Sequence, residues 1–146
     1  MPASTSGNWI REFGKWAPEI VAVYYGGSKA NRDLIRTYEL FMNPINTDRR
    51  NKVGDVILKC HVIITSYETF TNEPAVFANI DFQSIVIDEG HRLKSDTGKL
   101  FTTLKAEFPN AHKVLLTGTP IQNNMRELFT LLNIMVRKGL YSVVRS

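Results

Sequence analysis

The chain has 146 residues, 43% hydrophobic and 22% charged, with a formal net charge of +4 and a sequence pI near 9.3. That length can bury one core and suits a single domain, and the mild basicity is compatible with nucleic acid without requiring it. No apolar run approaches the ~18–20 residues of a membrane span, the first residues lack an apolar signal region, and the lone Cys60 excludes an internal disulfide and argues against a cysteine-based zinc site.

Residues Met1 to Gly7 are small and polar and read as a loop. Asn8 is placed to cap a helix over Trp9–Trp16, whose Trp9, Phe13 and Trp16 recur at helical spacing; core packing fits them better than a base-stacking platform. Pro18 ends it. Ile20–Tyr25 reads as a strand closed by Gly26-Gly27, after which Ser28 caps a helix over Lys29–Phe41 bearing Leu34, Ile35, Tyr38 and Phe41. Asn43 to Asp55, with Arg49, Arg50 and Lys52, reads as an exposed basic loop. Val56–Lys59 fits either a short strand or a helical turn.

Cys60–Thr65 is a second strand, with Cys60 buried and His61 lacking any metal-ligand spacing to His91 or His112. It runs into Ser66-Tyr67-Glu68-Thr69, a helix start, and Glu73–Ile80 fits a short helix or a turn. A strand around Ile85 follows, then a polar loop and a helix over Gly98–Phe108. His112–Leu116 is a fourth strand, broken by Thr117-Gly118-Thr119-Pro120, and Asn124 caps a helix over Met125–Met135 with Leu128, Leu131, Leu132 and Met135 on its apolar face. The tail from Val136 to Ser146 has no clear period. Strands alternating with helices four times over predict an α/β fold, a parallel sheet with helices on both faces.

The most informative stretch is Ser84-Ile85-Val86-Ile87-Asp88-Glu89-Gly90-His91-Arg92. Its apolar, β-branched run predicts a strand buried on both faces. Two adjacent carboxylates then stand at the carboxyl end of that strand, the edge where open α/β sheets bind ligands. Mg-nucleotide hydrolysis fits: Asp88 would hold Mg²⁺, usually through water, and Glu89 would orient or deprotonate the attacking water. The alternative is an ordinary strand followed by a solvated acidic turn.

Three stretches in order carry a resemblance: Asn8–Pro18, Ile85–Lys94, and Leu115-Leu116-Thr117-Gly118-Thr119-Pro120-Ile121-Gln122-Asn123-Asn124 followed by Arg126-Glu127-Leu128-Phe129. Together they resemble motifs Ia, II (Walker B) and III in the first RecA-like lobe of the SWI/SNF-type chromatin-remodelling ATPases of helicase superfamily two. Ile64–Glu68 sits where that family carries motif Ib. Tyr24–Arg32 and Arg36 resemble its chromodomain-helicase branch. The resemblance covers about residues 1 to 135 and leaves 136–146 as a tail.

It implies a partial RecA-like lobe of a nuclear, ATP- and Mg²⁺-dependent translocase whose partners are duplex DNA and the nucleosome, with no membrane. It also implies roles for single residues. Asp88 would coordinate Mg²⁺, Glu89 would activate water, and His91 would sense hydrolysis across to motif III; Gly90 stands where the better-known form of that motif has alanine. Thr117, Gly118 and Thr119 would contact DNA phosphate or relay nucleotide state, and Gln122 belongs to the same motif on the nucleotide side. Ser4, Thr5, Thr65 and Ser66 resemble sugar-phosphate contacts. Strand-to-turn hydrogen bonding and ordinary loop roles are the alternatives for these hydroxyl residues.

One element of the family pattern has no counterpart. A P-loop requires Gly-x-x-x-x-Gly-Lys-[Ser/Thr], and the chain contains none: Gly14-Lys15 precedes Trp16, and Gly98-Lys99 precedes Leu100. These residues are therefore expected to be a fragment of the motor, without the P-loop and second lobe, and inactive toward ATP by themselves. The alternatives are a non-catalytic DNA- or partner-binding fragment and a truncated gene product.

Overall fold

A computed structural model of the chain describes residues 3–42, 57–89 and 97–116. The chain divides into two compact units, Met1–Ile80 and Asp81–Ser146.

The first unit opens with a 3₁₀ turn, Ala3–Thr5, and helix α1, Ser6–Trp16. The helix starts two residues before the expected Asn8 cap, and Thr5 at its N-cap makes no side-chain capping bond. The rings of Trp9 and Phe13 stack one helical turn apart, 6.3 Å between centroids. Trp16 departs from the expected core packing. It is 73% exposed, its indole donates to Glu12 Oε2 at 2.7 Å, and the Lys15 ammonium lies 4.7 Å from its ring centre. A tryptophan with polar neighbours on its own helix can stay amphipathic at the surface.

Strand β1, Ala22–Tyr25, pairs in parallel with β2, Val62–Thr65, with Ala22 opposite Val62 and Tyr25 opposite Thr65. His61 closes the entrance to this ladder: its Nδ1 accepts from the Val21 amide at 3.0 Å, while its own amide donates to the Val21 carbonyl. Val23, Tyr25 and Ile64 point into the core, joined by the buried Cys60.

The crossover from β1 begins with α2, Lys29–Ile35, capped by Ser28, whose Oγ accepts from the Asn31 amide. The expected single helix to Phe41 is instead broken. Arg36–Leu40 forms a π-helical turn, and Phe41 makes an antiparallel bridge to Leu58. The i→i+5 bonding inserts one residue and shifts the helical phase. Leu40 and Phe41 thereby become fully buried, while Leu34 and Tyr38 face solvent. Leu58 thus takes the strand-like of the two options open for Val56–Lys59.

After β2 come two short helices, α3, Tyr67–Asn72, and α4, Pro74–Phe77. Ser66 caps α3, and Pro74 opens α4, where its missing N–H is no loss. Phe77 meets Tyr25 edge-on at 5.6 Å and Phe70 at 5.1 Å, an aromatic cluster under the carboxyl end of β1.

In the second unit, β3, Ser84–Ile87, pairs in parallel with β4, His112–Leu115, in the register Ser84 to His112 through Ile87 to Leu115. Helix α5, Thr97–Glu107, lies between them in sequence and contributes Leu100 and Leu104 to a core with Ile87, Phe108 and Ala111. Lys113 Nζ donates to the carbonyls of Phe108 and Ala111, tying the end of α5 to β4. The expectation that β3 is buried on both faces is corrected. Ile87 is buried, but Ser84 is exposed and Val86 is 54% exposed, so the strand alternates like a sheet with one open face. Among the described residues both ladders are parallel and each is two-stranded. Among the described residues no helix is long and apolar enough to cross a membrane.

Candidate functional site

Asp88 and Glu89 stand in the turn that leaves the carboxyl end of β3, both half-buried. The ladder reaches them in full, since the Leu116 amide donates to the Ile87 carbonyl at 2.8 Å. Glu89 has φ +54, the left-handed conformation that glycine favours and a glutamate adopts only at a cost. Its Oε2 is a buried atom. Two adjacent carboxylates, one on a strained turn, thus occupy the parallel-sheet edge where phosphate and metal ligands collect in α/β folds.

The donor set suits Mg²⁺ in part. Mg²⁺ prefers hard oxygen ligands, keeps several waters and takes one or two carboxylates along with substrate phosphates, so it needs no all-protein cage. Among the described residues no group of three or more His, Cys, Asp or Glu side chains comes together. Asp88 and Glu89 could therefore supply one or two carboxylates to such an ion, with the remaining ligands coming from water and substrate. His91, Thr117, Gly118, Thr119 and Gln122, and the helix expected over Met125–Met135, lie outside the described residues, as do Arg49, Arg50 and Lys52.

In the first unit, Thr65 and Ser66 sit together at the carboxyl end of β2, beside the carboxyl end of β1. The Thr65 hydroxyl donates to the Tyr25 carbonyl at 2.8 Å, a bond that pins the two strand ends. Ser66 Oγ accepts from the Thr69 amide at 3.1 Å and shares a hydroxyl–hydroxyl bond with Thr69 at 2.9 Å. Such a bond can run in either direction. Reversing it lets Thr69 donate and frees the Ser66 proton for an incoming acceptor, a freedom Thr65 lacks while its bond to the carbonyl holds. Ser4 is exposed in the 3₁₀ turn before α1, and Thr5, half-buried, follows it.

A cluster that the sequence does not announce lies beside this edge. Glu73, between α3 and α4, accepts the Tyr25 phenol on Oε2 at 2.5 Å and the Arg32 Nε and Nη2 on Oε1 at 2.9 and 2.7 Å. Arg32 Nη1 also donates to the Gly27 carbonyl at 2.5 Å. Burial and the Glu73 carboxylate push the Tyr25 phenol well above its ordinary range. For Glu73, burial opposes ionisation, but the bonds from Arg32 and Tyr25 outweigh it and hold the carboxyl below its ordinary value. Local signals exist at each end, a Tyr closing a strand and an Arg in the last turn of a short helix. The carboxylate that joins them is more than 40 residues away and could be found only by folding the chain.

Comparison with known proteins places these features in context. The SNF2-related domain family model matches residues 1–145. The chain is 38% identical to the CHD3-type chromatin-remodeling factor PICKLE of Arabidopsis thaliana, over 92% of this chain and 10% of that protein. It is 40% identical to the chromodomain-helicase-DNA-binding protein 3 homolog of Caenorhabditis elegans and 42% identical to human chromodomain-helicase-DNA-binding protein 7, again over 92% of this chain but only 8% and 4% of theirs. The chain thus spans a tenth or less of the length of these relatives. The fold matches the Sulfolobus solfataricus SWI2/SNF2 ATPase core, solved in complex with dsDNA, with a TM-score of 0.62 and 22% identity, over 97% of this chain and 25% of that one.

Proposed function

The chain belongs to the SNF2-related domain family, and from that premise we propose that it forms part of the first RecA-like lobe of a nuclear chromatin-remodelling ATPase of the chromodomain-helicase branch, a motor that moves on duplex DNA and acts on nucleosomes. The observation that carries this reading is the Asp88–Glu89 pair at the carboxyl end of β3, with Glu89 held at φ +54.

In this reading Asp88 would hold the Mg²⁺ of Mg-ATP, usually through water, and Glu89 would accept a hydrogen bond from the attacking water and take its proton. The bound ion would neutralise charge on the phosphates as they separate. Holding Glu89 in a strained turn favours one carboxylate orientation before substrate arrives, which is where positioning contributes most to phosphoryl transfer. His91, Thr117, Gly118, Thr119 and Gln122 keep the sensing, coupling and nucleotide roles that the motif order assigns them. Ser4, Thr5, Thr65 and Ser66 would face duplex phosphate, and Ser66 can donate to it because its bond to Thr69 is reversible.

The phosphate cradle is not among these 146 residues, which hold no Gly-x-x-x-x-Gly-Lys-[Ser/Thr]. A polypeptide of just this sequence is therefore expected to bind duplex DNA but not to turn over ATP, which is also what a purely binding role predicts. Fluorescence anisotropy with labelled duplexes of unrelated sequence, titrated from low to high salt, tests the DNA part. Weak, sequence-blind binding that falls steeply with salt is the expected result. Affinity that is unchanged by salt, or that prefers one base sequence, contradicts the translocase reading.

A further inference from the structure

The Tyr25–Glu73–Arg32 cluster has no part in the Asp88–Glu89 chemistry proposed above, and it borders the strand ends of the first unit, where duplex phosphate would lie. Glu73 is the C-cap residue of α3, its amide donating to the Thr69 carbonyl, and Ser66 is the N-cap of the same short helix. The Glu73 side chain fastens the far end of α3 to β1 through the buried Tyr25, and to the last turn of α2 through Arg32. At the near end, the Thr65 hydroxyl fastens the start of α3 to the Tyr25 carbonyl. A six-residue helix held at both ends cannot slide or rotate without breaking one of these bonds, so the position of the Ser66 Oγ is set by them, while its proton stays free to turn.

We propose that Arg32 is a positioning residue for DNA: acting through Glu73 and α3, it holds Ser66 where its hydroxyl can donate to a backbone phosphate of a duplex. This rests on the DNA reading above and deepens it. The guanidinium is suited to the task because its planar fork makes three bonds at once, two to Glu73 and one to the Gly27 carbonyl. A lysine keeps the charge but cannot reproduce that geometry.

The test uses the 146-residue chain and a fluorescein-labelled duplex of arbitrary sequence, with wild type, Arg32→Lys, Ser66→Ala and the double variant. Each is assayed at a temperature where circular dichroism shows it folded. Arg32→Lys leaves the net charge unchanged, so the dependence of affinity on salt should keep the wild-type slope while affinity falls about tenfold at every salt concentration. Because Arg32 acts through Ser66, the double variant should bind no more weakly than the weaker single variant. A merely structural role would lower the unfolding temperature and leave the affinity of the folded protein untouched, and a direct Arg32–phosphate contact would make the two losses multiply; either result overturns the proposal. If Arg32→Lys fails to fold, Tyr25→Phe takes its place. It removes only the phenolic hydroxyl that donates to Glu73, should weaken binding about threefold, and should add nothing to the Ser66→Ala loss; multiplied losses again overturn the proposal. Wild-type protein that binds no duplex even at low salt removes the DNA reading and this inference together, whereas wild-type binding that all these variants retain removes the inference alone.

Discussion

Glu73 uses both carboxylate oxygens, one for Tyr25 and one for Arg32, so protonation at either end of the cluster should register in stability. The folded-state pKa of Glu73 is depressed, so the carboxylate contributes stability above its unfolded value and loses it as pH falls through the folded value. Tyr25 has the opposite sign. Its raised pKa keeps the phenol protonated in the fold, so its contribution is full below its unfolded value near 10.0 and declines as pH rises above that. Thermal unfolding across pH should therefore show a plateau from roughly pH 5 to pH 10 with a fall on each side. Tyr25→Phe should lower stability by about 1 kcal/mol and flatten the alkaline fall; an alkaline flank that persists in this variant contradicts the assignment. At the neighbouring turn, Gly27 has φ +86, and a Cβ on Gly26 would collide with the Tyr24 ring. Gly27→Ala should cost about 1–2 kcal/mol, read as a shift in the denaturation midpoint. The glycine pair was legible as a strand terminator, but the Tyr24 ring that excludes a side chain at Gly26 was not, because nothing in the sequence says where that ring turns.

At the scale of elements, local rules succeeded where the determining groups are close in sequence. Ser28 and Ser66 each sit three residues before the amide they cap, and both caps form. Ser66→Ala should therefore loosen α3 by about 1 kcal/mol, seen as faster amide exchange at Thr69 with the β1–β2 ladder unaffected. Exchange at Thr69 unchanged by the substitution would contradict the capping role. Local rules failed where tertiary burial decides. The helix expected through Phe41 breaks at a π turn because Leu40 and Phe41 both enter the core and Phe41 bridges Leu58. The Trp9, Phe13, Trp16 repeat was read as one apolar face, yet Trp16 finds Glu12 and Lys15 on its own helix and stays in solvent. For β3, the β-branched run marked a strand correctly. Its composition could not show that Val86 faces outward, since an apolar run reads the same whether one face or two are covered.

For the molecule as a whole, family and fold were legible because motif order is a property of the sequence itself, and the parallel pairing of β1 with β2 and of β3 with β4 follows from the alternation of strands and helices. Of the proposed nucleotide site, the sequence offers only the carboxylate part. Asp88 and Glu89 are adjacent in sequence, whereas the phosphate-cradling amides and lysine of such motors are not among these residues. Two-stranded ladders among the described residues and outward-facing Trp16, Tyr38 and Val86 point to a marginal polypeptide when it is produced alone. Broad thermal unfolding below about 60 °C is the expected behaviour, and a sharp cooperative transition above that temperature would contradict it.

The central claim is that Asp88 and Glu89 are the metal-binding and water-orienting carboxylates of a DNA-driven motor. The direct measurement is ATP hydrolysis by a chimera in which these 146 residues replace the matching segment of a chromodomain-helicase relative, so that a P-loop and second lobe are supplied. The predicted result is turnover stimulated by duplex DNA, reduced at least ~100-fold by Glu89→Gln, with DNA binding retained as the sign of an intact fold. A folded, DNA-binding chimera whose hydrolysis is indifferent to Glu89→Gln would contradict the account.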